Sequence, residues 1–282
     1  MAEFGLYLPQ VGLGFPQVAD AVAAAESAGF GRVWFIDHFE VPGFGGIMDG
    51  WTVAAAIGAL TSTIRIGHLV LCAAFRPPAV LGKMAVTLDQ ITGGRLDLGL
   101  GSGSNPQELR AYLGSADSAA VRREKLAETI QIVRRILVGD PVSFAGTHYS
   151  VHVSSSAPAA VQAHVPLFIG GYSPAMMKLV RGHADWWNCP SFAQPRLSEL
   201  APLSRPARIS ANYSVAFAPG SRLRRAGSET APVLVGDDLA LSDALAADQA
   251  LGVELFNIQF VQFDHLGDHM VRFMEEVAPA LS

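Results

Sequence analysis

Two titratable residues, Asp37 and His38, stand side by side after a run of mostly apolar residues, Arg32–Ile36. Because histidine titrates near neutral pH, such a pair can anchor a ring nitrogen and exchange a proton with a bound molecule. The structural alternative is that Asp37 caps the following turn and His38 is a satisfied residue of the core. We expect the chemical role, with His38 as the catalytic residue.

A glycine-rich stretch, Gly99–Gly103, ends a second apolar run. It is not a dinucleotide fingerprint, because the sixth position is Ser104 rather than glycine, and it lacks the Lys-Ser/Thr of a Walker phosphate loop. Backbone without side chains lets a flat ring approach closely. Beyond it, Asn105 predicts a helix N-cap and Glu108 completes a capping box, which gives Glu108 a structural role.

A second glycine turn, Gly170-Gly171-Tyr172-Ser173, joins a strand-like run to a predicted helix. Free amide groups at a helix N-terminus attract anions, and glycines allow a phosphate to come close. The alternative is an ordinary tight turn between a strand and a helix. We expect Gly170, Gly171, Tyr172 and Ser173 to form a phosphate site.

One segment departs from the acidic balance of the chain, since six arginines and a single acid, Glu199, lie between residues 196 and 225. The arginines are Arg196, Arg205, Arg208, Arg222, Arg224 and Arg225. Such a segment either binds an anionic ligand or forms a solvated loop. The sequence leaves both interpretations open.

These residues need a scaffold that gathers strand ends, and the chain alternates strand-like and helix-like segments. Ile64–Leu71 and Gly94–Leu100 are joined by one helix beginning at Pro77-Pro78, which predicts a strand–helix–strand unit with parallel strands. Eight strand candidates predict an α/β fold, a (β/α)8 TIM barrel of one domain over residues 1–282 with short insertions. The candidates are Phe4–Leu8, Arg32–Ile36, Ile64–Leu71, Gly94–Leu100, Pro166–Ile169, Ala184–Asn188, Arg208–Phe217 and Val253–Phe260.

Two insertions decorate this predicted barrel. Residues 141–153 alternate apolar and polar side chains and predict a β-hairpin. Residues 218–231 are polar and rich in turn formers, which predicts a mobile loop. In a (β/α)8 barrel the loops after the strands line the open face, so the residues at strand ends are expected to meet there.

Composition narrows the class of function. The net charge of −5 argues against general nucleic-acid binding. No apolar run reaches about 18 residues, so we expect no membrane span, and without a secretory signal we expect a cytoplasmic protein. Cys72 and Cys189 match no metal-ligand spacing, which predicts free thiols and no metal site.

Several segments together resemble the luciferase-like monooxygenase superfamily, and in particular its branch that uses coenzyme F-420 (F420, an 8-hydroxy-5-deazaflavin) rather than FMN. The resemblance covers most of the first two-thirds of the chain and is looser in the carboxy-terminal third. The matching segments are FGLYLPQ at the start, AESAGFGRVWFIDHF (25–39), WTVAAAIGALTSTIRIGHLV (51–70), FRPPAVLGKMAVTLDQITGGRLDLGLGSG (75–103), IGG (169–171) and ADWWN (184–188).

The resemblance implies a cofactor at the carboxyl end of the barrel, with His38 beside the reacting ring carbon as proton donor or acceptor. It also implies a non-proline cis peptide at Leu69-Val70, which supports the back of the ring. Sugar-phosphate dehydrogenases of this branch have a catalytic glutamate at a position where this chain has Ser104 or its neighbours. The expected cofactor-binding residues are Asp37, Leu69, Val70, Ser102, Gly103, Ser104, Gly170, Gly171, Tyr172 and Ser173.

The function that follows is hydride transfer between coenzyme F-420 and a small organic substrate. One alternative is an FMN-dependent two-component monooxygenase, and another is a non-catalytic cofactor-binding protein. The arginine-rich segment would then receive an anionic substrate or the oligoglutamate tail of the cofactor. The resemblance further implies a homodimer.

Overall fold

The computed structural model describes residues 2–40, 45–229 and 231–281. Its longer strands are rich in β-branched, leucine and aromatic residues, which suit a pleated and buried surface. In chain order the strands are β1 (Glu3–Tyr7), β2 (Arg32–Phe35), β3 (Arg65–His68), β4 (Leu71–Cys72), β5 (Leu96–Gly101), β6 (Val142–Ala145), β7 (Ser150–Val153), β8 (Leu167–Gly170), β9 (Trp186–Cys189), β10 (Arg208–Phe217), β11 (Arg224–Ser228), β12 (Ala231–Gly236) and β13 (Val253–Phe260).

Helices follow most of the strands, and proline or glycine marks several of their ends. Pro78 stands in the first turn of one helix, where its missing N–H costs no hydrogen bond. Gly29 ends another in the left-handed conformation, with φ of 93°. The helices are α1 (Phe15–Ala28), α2 (Gly50–Leu60), α3 (Pro78–Thr92), α4 (Pro106–Leu113), α5 (Ala119–Val138), α6 (Pro174–His183), α7 (Leu197–Ser204), α8 (Asp238–Ala250) and α9 (Leu266–Arg272).

The chain divides into two compact units, of which the first comprises the described residues of Met1–Pro9, Gly14–Trp34 and Gly170–Ser282. Its parallel strands pair in the order β9–β10–β13–β1–β2. β12 adds in parallel to the carboxyl half of β10, and β11 pairs antiparallel with β12. Aromatic side chains fill the core, and the rings of Phe256 and Phe273 lie 5.9 and 5.7 Å from that of Phe4.

The second unit comprises Gln10–Leu13 and Phe35–Ile169. Here β3 and β8 flank β5 in parallel, and β4 continues the pairing of β3 with β5. The helices α3 and α5 approach closely, because Gly82 leaves no Cβ to collide with Ile136. The antiparallel hairpin of β6 and β7 packs on the same apolar cluster through Phe144 and Val151.

The eight parallel strands β1, β2, β3, β5, β8, β9, β10 and β13, with their helices, make a (β/α)8 barrel, which confirms the predicted fold class. The hairpin predicted within residues 141–153 is present, and β10 and β13 have the predicted bounds. Cys72 and Cys189 are free and buried, as expected. Within the described residues no helix has both the length and the apolar character of a membrane span.

The non-proline cis peptide expected at Leu69–Val70 is confirmed. It interrupts the strand predicted over Ile64–Leu71, which is divided into β3 and β4. One local expectation is wrong. The segment 218–231 is not simply a mobile loop, because it contains β11 and the start of β12, which are paired through their backbones. Residues 42–44 of the glycine-rich stretch 42–50 lie outside the described residues.

Candidate functional site

His38 and Glu108 form a hydrogen-bonded pair in the second unit. Nδ1 of His38 lies 2.8 Å from Oε2 of Glu108. The side chain of Glu108 is 2% exposed and that of His38 is 37% exposed. The backbone N–H of Phe39 also donates to Glu108, at 2.6 Å. A buried carboxylate therefore fixes both the imidazole and the backbone that follows it.

This geometry corrects the capping role predicted for Glu108. Asn105 is the N-cap of α4 as expected, and its side chain accepts hydrogen bonds from the backbone of Gln107 and Glu108. The carboxylate of Glu108, however, turns towards the loop after β2. The contact joins residues 70 positions apart, so no local sequence pattern could indicate it.

The pair sets the chemistry available to the imidazole. A carboxylate at Nδ1 favours the tautomer with its proton on that nitrogen, which leaves Nε2 to accept a proton. The same carboxylate stabilises the imidazolium once it forms. Because the carboxylate is buried and the imidazole is partly exposed, His38 can exchange a proton with a bound molecule.

Asp37, next to His38, is held by other partners. Its carboxylate accepts two hydrogen bonds from the Arg76 guanidinium, at 2.7 and 2.9 Å, and one from the backbone N–H of Cys72, at 2.8 Å. Burial alone would lower the pKa of Arg76, but its hydrogen bonds and charge contact with Asp37 raise that pKa above its usual value. Asp37 thus ties the end of β2 to the segment after β4, and its expected contact with a cofactor stays a prediction.

The backbone beside these residues depends on glycines. A Cβ at Gly101 would lie 2.5 Å from the Val70 side chain, and one at Gly99 would collide with the carbonyl oxygen of His68. Gly103 has φ of 81°, and a Cβ there would lie 2.8 Å from the Cys72 sulfur. Glycine is required at these positions, because any side chain would push the neighbouring segments apart.

The second unit therefore brings several predicted site residues into one region. Val70 and Ser102–Gly103 are partly exposed, as is His38, whereas Leu69 and Asp37 lie buried behind them and Ser104 is exposed. The Arg122 guanidinium donates to the carbonyl oxygen of Ser102, at 3.1 Å. The acids of this region are already hydrogen-bonded, which leaves apolar side chains, backbone and an imidazole for a ligand. Such a surface fits an uncharged flat ring.

His68 is a buried titratable residue of this region that the sequence analysis did not single out. Its side chain is 1% exposed, and its ring stacks on that of Trp51, with centroids 5.5 Å apart and planes 4° from parallel. Burial lowers the pKa of His68 below its usual value. The residue is therefore a neutral core group rather than a second proton carrier.

The predicted phosphate turn belongs to the first unit. Ser173 caps α6 by accepting a hydrogen bond from the backbone N–H of Met176, at 3.3 Å. The φ of 126° at Gly171 favours glycine, and the carbonyl oxygen of Gly171 accepts from the Trp187 indole, at 2.7 Å. Gly170 ends β8, and Tyr172 is exposed. The phosphate site expected at this turn stays a prediction.

The fold is a barrel in which a hydrogen-bonded histidine–glutamate pair follows one of the strands. The model of the luciferase-like monooxygenase family matches residues 3–274. The chain therefore belongs to the luciferase-like monooxygenase family, which is a family of enzymes.

Individual relatives refine this comparison. A Mycobacterium tuberculosis protein, whose name proposes a coenzyme F420-dependent oxidoreductase, is 31% identical over 259 residues, which cover 86% of this chain and 69% of that protein. Uncharacterised mycobacterial relatives are 29% identical, and the chain spans 66% of their length.

Solved structures share the fold at low sequence identity. An F420-dependent secondary alcohol dehydrogenase in complex with an F420–acetone adduct superposes with a TM-score of 0.86 at 17% identity, covering 100% of this chain and 99% of that one. The monooxygenase RslO1 of Streptomyces bottropensis superposes with a TM-score of 0.83 at 20% identity, covering 99% of this chain and 100% of that one. At these identities the likeness establishes the barrel fold alone.

Proposed function

We propose that this chain is an oxidoreductase that transfers a hydride between coenzyme F-420 and a small organic substrate. The observation that carries the proposal is the partly exposed imidazole of His38, held at 2.8 Å by the buried carboxylate of Glu108. The similarity to a relative named for F420-dependent oxidoreduction favours this cofactor. The deazaflavin supplies hydride chemistry at its central ring carbon and does not readily activate oxygen.

The protein's own residues would bind and orient the cofactor, and His38 would exchange the proton. Val70, Ser102 and Gly103 offer the uncharged surface on which the ring would rest, with Leu69, Asp37 and Ser104 supporting or bordering it. Gly170, Gly171, Tyr172 and Ser173 would hold the phosphate, through glycine backbone and the N-terminus of α6. The barrel orients the cofactor, and the cofactor carries the hydride.

Nε2 of His38 takes or gives the proton that accompanies the hydride. If the substrate is an alcohol, its hydroxyl proton passes to Nε2 while its carbon loses the hydride, so that a carbonyl product and an imidazolium result. Glu108 stabilises that imidazolium and keeps the ring in place. In the opposite direction the imidazolium returns the proton to the carbonyl oxygen.

The FMN-dependent two-component monooxygenase remains the second candidate, because a monooxygenase shares the fold at a TM-score of 0.83. Its site would need reduced FMN from a separate reductase. The non-catalytic cofactor-binding protein is the third candidate. The engaged pair of His38 and Glu108 argues against it, since a binding protein has no need of a held proton carrier.

We also propose a cytoplasmic homodimer. Its support is an apolar groove of about 560 Å³ in the second unit, lined by α2, α3 and the end of β7. Val80 and Ile91, which line this groove, are 51% and 44% exposed. Contact with a second copy would remove these side chains from water. Sedimentation analysis of wild type beside V80E/I91E tests this proposal, since the variant should be monomeric.

An anaerobic activity screen tests the hydride transfer. Oxidised F-420 would be mixed with a panel of primary and secondary alcohols, and bleaching of its visible absorbance would be followed. We expect bleaching with at least one alcohol and its loss in His38→Asn. Oxygen uptake that requires supplied reduced FMN, with no reaction of F-420, would instead support the monooxygenase.

A further inference from the structure

Strand β10 divides the arginine-rich segment into two groups. Arg196, Arg205 and Arg208 lie before it or at its amino end, whereas Arg222, Arg224 and Arg225 follow its carboxyl end. Loops at the carboxyl ends of barrel strands carry the ligand sites, and those at the amino ends serve stability. The two groups therefore call for separate explanations.

Arg208, at the amino end, has structural partners. Its guanidinium binds Glu3 at 2.7 Å and Glu254 at 2.9 Å. It also lies 3.9 Å above the centre of the Trp186 ring. These contacts tie β10 to β1, β13 and β9. Arg208 is therefore part of the scaffold.

The carboxyl-end group belongs to an ordered element, here called the arginine hairpin and defined as residues 221–236. β12 pairs in parallel with Ser214–Phe217, the last four residues of β10. The backbone N–H of Ala218 donates to the carbonyl oxygen of Gly236 at 2.7 Å, and that of Asp237 donates to Ser221 at 3.1 Å. The hairpin is thus fastened to the carboxyl end of β10 at its base.

The side chains of Arg222, Arg224 and Arg225 differ from that of Arg208 in that all three are exposed. The charge of Arg225 acts on Asp248, where it lowers the pKa of that carboxyl against the effect of burial. Three guanidinium groups thus lie within four residues of a chain whose net charge is −5. Adjacent like charges repel, so their clustering without acids brings no stability to the fold.

The acids around the arginine hairpin are mostly engaged elsewhere. Asp237 caps α8, Asp238 binds Arg272, and Asp248 accepts the hydroxyl of Tyr213. Glu229 is exposed in the hairpin turn and is the acid of the hairpin itself. Arg222 and Arg224 are consequently available for an external anion, and Arg225, whose charge also acts on Asp248, is the next residue along the same strand.

We propose that the arginine hairpin binds a ligand with several carboxylate groups at the carboxyl end of β10. Arginine suits this task because its planar fork binds carboxylates through paired hydrogen bonds. The ligand is either an acidic substrate or the acidic extension of the cofactor, and the second source rests on the proposed function. In both cases the hairpin recognises the same chemistry.

The test compares three glutamine substitutions in the hairpin, R222Q/R224Q/R225Q, with a control that removes the same charge elsewhere, R123Q/R181Q/R205Q. Binding of a triglutamate peptide would be measured by calorimetry at low and at physiological salt. We expect wild type and control to bind it with an affinity that falls with salt. The hairpin variant should bind about tenfold more weakly, with an unchanged melting temperature.

A second arm identifies the source of the carboxylates by using F-420 with one and with five glutamates. Tighter wild-type binding of the longer form, lost in the hairpin variant, assigns the site to the cofactor. Equal binding of both forms, with triglutamate still bound, assigns it to the substrate. If wild type and the hairpin variant bind triglutamate equally, or neither binds it, the proposal is overturned. Because triglutamate contains no deazaflavin, this result does not depend on the proposed cofactor.

Discussion

Each unit of this protein contains a largely buried polar cluster among its described residues, and these two clusters differ in charge and in place along the strands. In the second unit, Asp37, His38, Arg76 and Glu108 are titratable and follow strands or begin the next helices. In the first unit, uncharged side chains lie in mid-strand: Asn188, Ser210, Asn212 and Asn257. The comparison therefore sets polar groups within the strands against polar groups that follow the strands.

The uncharged cluster is bonded largely to itself. Asn257 donates to Asn212 at 3.1 Å, and Ser210 donates to Asn188 at 3.1 Å. All four side chains are buried. The charged cluster includes the partly exposed His38, whose Nε2 makes no hydrogen bond within the described residues. A buried network of uncharged groups supports the barrel, whereas a network with one open ring nitrogen can exchange protons.

The largest expected effect is on stability and comes from replacing Arg76 in the charged cluster. Arg76→Met removes the cation that faces Asp37 and leaves a buried carboxylate without its ion pair. We expect a loss of about 3–5 kcal/mol in the free energy of unfolding, measured by urea denaturation. Arg110→Met, at an exposed position of α4, is the control and should change stability little. Equal stability of both variants would mean that Arg76 is dispensable.

His38→Asn should leave the fold intact and reduce turnover on the order of 100-fold or more, because the proton carrier is lost. Glu108→Gln keeps the hydrogen-bonding shape but loses the negative charge. It should lower kcat more than it raises KM, since the imidazole loses the anion that stabilises its protonated form. His152→Asn, on the exposed β7, is the control. Unchanged turnover in His38→Asn would refute the assignment.

In the uncharged cluster a substitution should lower stability and leave turnover unchanged, which is the opposite of the effect expected for His38→Asn. Asn257→Leu removes the donor to Asn212 and leaves buried polar atoms without partners. We expect a loss of about 1–3 kcal/mol in unfolding free energy, with turnover per folded molecule close to wild type. A large loss of turnover without a loss of stability would place this cluster in the active site and remove the contrast between the units.

The smallest effect concerns pH. Burial lowers the pKa of His68 in the folded protein below its usual value of 6.5. As the pH falls below 6.5, His68 binds a proton in the unfolded chain but not yet in the folded protein. The free energy of unfolding therefore decreases with falling pH. His68→Phe keeps the stacking on Trp51 and should weaken this dependence, whereas His265→Gln, at an exposed histidine, should not. Urea denaturation between pH 7.5 and 5 would measure it, and parallel curves for all three proteins would contradict it.

The sequence predicts the scaffold well because its signals are local. Pro78 and Gly29 mark helix ends, and α5, β10 and β13 carry clear apolar patterns. The contact of Glu108 with His38 is not local, and the residues from Asn105 onward also fit a capping box. A polar composition likewise concealed β11, whose order comes from pairing with β12 and, through it, with β10. Tertiary contacts therefore decided what local patterns left open.

The central claim is that this barrel binds a deazaflavin beside His38. The most direct test is a fluorescence titration of the purified protein with coenzyme F-420 and, separately, with FMN. We predict micromolar or tighter binding of F-420 and much weaker binding of FMN. Preference for FMN, or binding of neither, would contradict the account.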